Sequence, residues 1–108
     1  MERITEDQIA RLVTFVYARI SDADSLQEEG ARRMVTALRV MADKQVAAVR
    51  YYRASPSDGT GAVEVHAIAS WNLLVSVAHI WRDHSEFPAD AAMETFEFDA
   101  EDPLRPAP

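Results

Sequence analysis

Three residues in the last third of the chain have the types and spacing of a metal site: His79, Asp83 and Glu86. An imidazole and two carboxylates suit zinc and the harder divalent ions, and an i, i+4 spacing on a helix lets two side chains reach one ion. At 100° per residue, Asn72, Ser76, His79 and Asp83 fall on one side at i, i+4, i+7 and i+11, and Glu86 extends the row if the helix runs that far. A single helix supplies every member of this set, and the sequence names no further ligand. The competing expectation is therefore the wet face of an amphipathic helix.

Other chemistries find less support. His66 and His84 are eighteen residues apart, about 27 Å along a helix axis, and cannot share an ion within one helix. With no cysteine in the chain, disulfides, thiol catalysis and thiolate metal sites are excluded. There is no G-x-S-x-G elbow. Gly59-Thr60-Gly61 lacks the lysine and the spacing of a phosphate-binding loop. No catalytic residue set and no cofactor are expected.

A second candidate lies at the C-terminus. Glu94 to Asp102, ETFEFDAED, carries five acids, two phenylalanines and no base. Phe96 and Phe98 would insert into a partner while Glu97, Asp99, Glu101 and Asp102 meet a basic surface, in the manner of strand addition. The alternative is a solvated acidic terminus. The net charge of −7 is unevenly spread, +1 over residues 1–53 and −8 over 54–108. That balance argues against direct binding of a nucleic-acid backbone and for a basic protein partner. In its extreme form it would make the chain a nucleic-acid mimic that blocks a DNA- or RNA-binding protein.

The elements that must position these groups are helical. Thr5 and Gln8 form a capping box, Glu6 and Asp7 favour a helix start, and Ile9, Leu12, Val13, Val16 and Ile20 give an amphipathic stripe, so a first helix is expected over about 5–20. Phe15 lies off that stripe, as either an exposed residue or a second contact surface. Ser25 and Glu28 give another capping box and open a helix over about 26–53, with Gly30 as a weak point near its start. Its expected core face is Met34, Leu38, Met41, Ala42, Gln45, Val49 and Tyr52. Arg32, Arg39 and Arg50 fall together on its polar side, and Arg33, Lys44 and Tyr51 form another row; the leading expectation is a solvated helix face, and the alternative is a basic docking strip for the acidic C-terminal half.

Asp58-Gly59 marks a turn in ASPSDGTG. An αα-hairpin across it is preferred over a β-hairpin pairing 47–53 with 62–68, although Val63 and Val65 alternate with polar residues. The third helix, about 62–85, contains both tryptophans and all three histidines, and has no charged residue from Val65 to Trp81. Ala67, Ser70, Leu74, Val77, Ala78 and Trp81 gather on one side, flanked by Leu73, Ile80 and Trp71, an arc wide enough for burial on several sides. Trp71 and Trp81 project to different sectors, one for the core and one for an interface. The run is too short and too polar, with His66, Asn72, His79 and two serines, for a membrane span. Pro88 ends this helix and opens a short one over about 88–95.

The expected architecture is thus all-α: one helical-bundle domain over 1–95 and an extended acidic, proline-rich tail over 96–108. Helices two and three would be about 40 and 35 Å long against about 24 Å for the first, so one short helix leaves the long hairpin partly uncovered. Phe87, Met93, Phe96 and Phe98 folding back, and a second copy in a symmetric homodimer, would supply the cover. The charged start MERITEDQ has no apolar signal region, which points to a cytoplasmic protein.

Ser76 to Phe87, SVAHIWRDHSEF, resembles the closing segment of small uncharacterised helical proteins of actinobacteria and their phages. There an Ala- and Leu-rich helix runs into aromatic-x-Asp-His-Pro-Asp-aromatic. Trp81, Asp83, His84 and Phe87 carry the likeness; Ser85 stands for the proline and Glu86 for the second Asp. The resemblance implies such a source and no activity. The functional expectation is a small interaction protein, adaptor or regulator, acting through its acidic C-terminal surface.

Overall fold

The computed structural model describes residues 4–23 and 28–95. It is all-α: α1 Glu6–Ala23, α2 Glu29–Ala54 and α3 Ala62–Ala78, the last continued by a 3-10 turn, His79–Trp81. No strand occurs among the described residues. The acidic tail, 96–108, and Ser25 lie outside them.

The capping box of α1 forms as its sequence requires. Thr5 N–H donates to Gln8 Oε1 at 2.9 Å and Gln8 N–H to Thr5 Oγ1 at 3.2 Å. Ile4 and Ile9 hold the two positions of a hydrophobic staple, and both are buried. Ile9, Leu12, Val16 and Ile20 face the core, and so does Phe15, which closes a second contact described below.

At the start of α2 the cap is Glu28 itself. Its carboxylate accepts from Gly30 N–H and Ala31 N–H, both at 2.7 Å. Gly30 therefore sits inside the first turn, and a Cβ there would meet Glu28 Oε1 at 2.9 Å. The core face of α2 is rotated from the expected one. Val35, Ala42 and Val49 are buried with Leu38 and Val46 packed beside them, whereas Met34 and Met41 are exposed. The rotation follows from α1, which lies on the Asp43/Arg50 flank of α2: Tyr17 hydrogen-bonds Asp43, Arg50 pairs with Glu6, and Arg53 Nε donates to Ile4 O. Arg50 thus pairs with α1, not with the acidic C-terminal half.

An αα-hairpin joins α2 and α3. Ser55 closes α2 through its N–H to Tyr52 O and its hydroxyl to Tyr51 O. Asp58 Oδ1 accepts from the Thr60 amide and hydroxyl at 2.9 and 2.6 Å. Gly59 and Gly61 take φ of 84° and 83°, the left-handed region where a Cβ is strained, and Gly61 is the residue before α3. Residues 62–66 are helical, and Tyr52 stacks on His66 across the hairpin with ring centroids 4.8 Å apart.

α3 packs most extensively against α2 and also meets α1. Ala67, Ile68, Ser70, Trp71, Leu74, Val75 and Ala78 are buried, a broad arc on one side of the helix, while His66, Ala69 and Leu73 on the other side are exposed. Contrary to the expectation that this run is too short and too polar, Ala62–Trp81 is long and apolar enough by length and composition alone to cross a membrane, with a mean hydropathy of 1.3. In this fold its buried side chains form the bundle core. Trp71 belongs to the core, while Trp81 is half-buried against it.

Two expectations at the C-terminal side are corrected. The third helix stops at Ala78, not near 85; continuing to 85 would carry the chain about 10 Å further along the axis. Instead consecutive turns follow, with His84 N–H bonded to Trp81 O at 2.9 Å and Phe87 N–H to His84 O at 3.0 Å. They bring His84 and Phe87 back onto α1. The short helix over 88–95 does not form. Residues 88–92 make turns, Ala91 N–H to Pro88 O and Ala92 N–H to Asp90 O, and the chain then runs irregularly along α3. Side chains of α3 take the backbone groups that a helix would have used.

Candidate functional site

The closing segment builds one cluster. Phe15 of α1 makes edge-to-face contacts with His84 and Phe87, centroids 5.6 and 5.5 Å away, and Phe87 meets His79 at 5.4 Å. Arg19, one turn after Phe15, lies over the Phe15 ring at 5.3 Å and touches the His84 ring. Its side chain is only 10% exposed, and it pairs with Asp22 at 3.3 Å and Glu86 at 3.8 Å. A guanidinium this covered needs such partners. Glu86 N–H donates to His84 Nδ1 at 3.0 Å, which fixes the ring within its turn. His84 and Phe87 thus have a packing role: they clasp the end of the bundle to α1.

The same turns separate the expected metal ligands. His79 is in the 3-10 turn and faces Phe87, Asp83 is exposed, and Glu86 turns toward Arg19. The continuous helix face that would have aligned them ends at Ala78. Among the described residues no group of three His, Asp or Glu side chains is placed to hold a metal ion.

The other half of the polar seam has a different task. Asn72 Nδ2 donates to Glu94 O at 2.9 Å, and Glu94 N–H donates to Asn72 Oδ1 at 2.8 Å. Beside it Trp71 Nε1 donates to Ala92 O at 2.9 Å, from a side chain that is otherwise fully buried. An amide side chain offers one donor and one acceptor in the spacing of a peptide group, so Asn72 mimics a neighbouring strand. Ser76 merely bonds back to Asn72 O. Residues 92–95 are fastened to α3 at the root of the acidic stretch. Phe96, Glu97, Phe98, Asp99, Glu101 and Asp102 lie beyond the described residues. Met93, expected as an anchor, is exposed.

Asp90 pairs with Arg11 of α1, and this carboxylate holds the guanidinium pKa above its ordinary value. Next to the pair, a shallow trough of about 390 Å³ runs between α1 and the closing turns, lined by Ala10, Thr14, Phe15, Ala18 and Pro88 with Arg11 and Glu86 as its charged members. On the α2 side, burial first and then the bond to Asp43 push the Tyr17 hydroxyl up to about 12. Asp58 is held below the usual carboxylate range by the Thr60 hydroxyl and amide.

Sequence reasoning overlooked Arg19 and the fastening role of Asn72. Arg19 follows Phe15 at i+4, off the main stripe of α1, and that pairing was the available signal. Nothing in the sequence links Asn72 to Glu94, 22 residues away.

No family model, curated protein or solved structure matches this chain.

Proposed function

We propose that this protein is a small interaction module, an adaptor or regulator, that holds out its acidic C-terminal stretch to a basic protein surface. The observation that carries the reading is the pair of hydrogen bonds between Asn72 and the Glu94 backbone, reinforced by Trp71 to Ala92. They hold residues 92–94, just before the stretch in sequence, on α3. Anchoring one end of a recognition segment lowers the entropy lost when it is captured. Phe96 and Phe98 supply apolar insertion, and Glu97, Asp99, Glu101 and Asp102 supply charge.

The test is affinity capture from the native host by three chains: wild type, a truncation after Thr95, and a full-length variant with Glu97→Gln, Asp99→Asn, Glu101→Gln and Asp102→Asn. The expected result is a basic protein held by wild type, released by salt, and lost from both variants. An identical set of proteins on all three chains refutes the reading.

A further inference from the structure

The face of the α2–α3 hairpin turned away from α1 carries a row of large apolar side chains on each helix. Tyr52 and His66 stack across the hairpin and so mark which sides of the two helices flank this groove. Met34 precedes Tyr52 by eighteen residues, five full turns, and Met41 precedes it by eleven, three turns. Leu73 follows His66 by seven residues on α3, and Ile80 extends the row in the 3-10 turn that continues the helix. These four share the groove's two walls, and they are 74%, 55%, 49% and 61% exposed. The contacts to α1 leave α2 from Asp43 and Arg50, on its other flank. Single exposed apolar residues are ordinary. Two rows with seven-residue spacing on adjacent antiparallel helices are the seam that packs against further helices.

We propose that a second copy of this chain covers this face, making an antiparallel four-helix bundle of two hairpins. Two observations favour a copy as the occupant. The first is size. The shared length of the two helices is roughly 30 Å and their joint width about 20 Å, so the face spans about 600 Å² per subunit and about 1,200 Å² for the pair, enough for a specific complex. The second is charge. The outer rim of α2 carries exposed Arg33, ion-paired to Glu29 one turn earlier, and exposed Lys44, while the rim beyond α3 carries Glu94. A two-fold axis parallel to the helices lays each α2 against the partner's α3, antiparallel to it. The α2 rim with Lys44 then meets the partner's α3 rim with Glu94 twice, and the interface closes on itself.

The experiment is light scattering coupled to size exclusion, across a concentration series, on wild type, Met41→Glu, Leu73→Glu and the double variant. Wild type is expected at twice the 12.1 kDa chain mass. Each single change weakens the dimer, and the double change raises its dissociation constant roughly a hundredfold or more. Helicity by circular dichroism stays unchanged, because both positions are exposed. Because the chain contains no cysteine, mixing a Met41→Cys chain with an Ile80→Cys chain reads the pairing directly: a disulfide between them forms only between subunits, and faster than in either variant alone. A wild-type monomer at every concentration overturns the proposal. So does a dimer whose mass is indifferent to both glutamates. If the monomer binds phosphatidylglycerol vesicles through Leu73, or if truncation after Thr95 deprotects this face in hydrogen exchange, the occupant is a lipid surface or the chain's own tail, and the proposal fails.

Discussion

Replacing Asn72 with alanine should release the C-terminal segment while leaving the three helices in place. The side chain makes two hydrogen bonds to the backbone of one residue, Glu94, at 2.9 and 2.8 Å. Each contributes about 0.5–1.5 kcal/mol net of the water it replaces, so the pair is worth about 1–3 kcal/mol. Glu94 is only partly buried, so its freed amide and carbonyl turn to water and do not add the full cost of an orphaned buried group. The loss is local first: residues 92–95 open without unfolding the bundle, because no core residue lies after Ala91 among the described ones. Native-state hydrogen exchange measures this directly. The Glu94 amide should exchange roughly ten- to hundredfold faster in the variant, at tenfold per 1.4 kcal/mol. Amides in the middle of α3 should change far less. Asn72→Asp retains the shape but loses the donor and sets a carboxylate against the Glu94 carbonyl, so it should open the segment at least as far. An unchanged Glu94 exchange rate in Asn72→Ala would refute the fastening role and remove the support for an anchored tail.

Two further outcomes are expected. Trp71→Phe removes the bond to Ala92 and leaves a void at a side chain only 1% exposed, which should cost about 2–3 kcal/mol of stability in urea unfolding. For Tyr17, the folded state keeps its proton to about pH 12 while the unfolded chain releases it near the ordinary value of 10.0. Between those values the unfolded state binds fewer protons, so stability is full below about pH 10 and falls as pH rises towards about 12. The melting temperature should decline across that window in wild type, and more shallowly in Tyr17→Phe.

Much of the helical frame was legible because local rules decide it. Thr5 and Gln8 cap α1 within four residues, Asp58-Gly59 turns the chain, and the apolar stripe of α1 repeats at helical spacing whatever packs on it. The wide apolar arc of α3 matches its packing against both α1 and α2. The orientation of α2 was less legible. Its apolar residues cover more than half the wheel, so pattern alone does not separate the Val35/Ala42/Val49 face from the Met34/Met41 face. The position of α1, fixed by Tyr17–Asp43 and Glu6–Arg50, makes that choice.

The sequence by itself determined the composition of both ends of the problem: an all-helical frame without cysteine, and a C-terminal half charged at −8. The candidate metal face rested on extending one periodicity past Ala78, and no local signal contradicts that extension before Pro88. Only the tertiary structure decided it. Turning early lets His84 and Phe87 reach Phe15 and Arg19, contacts more than sixty residues apart in the chain, and a long-range gain of that kind is invisible to a pattern read along one helix. The same packing gave Asn72 its partner. Asn72, one member of a seam that resembled a ligand row in sequence, is in the folded chain a fastening for the segment that precedes the acidic tail.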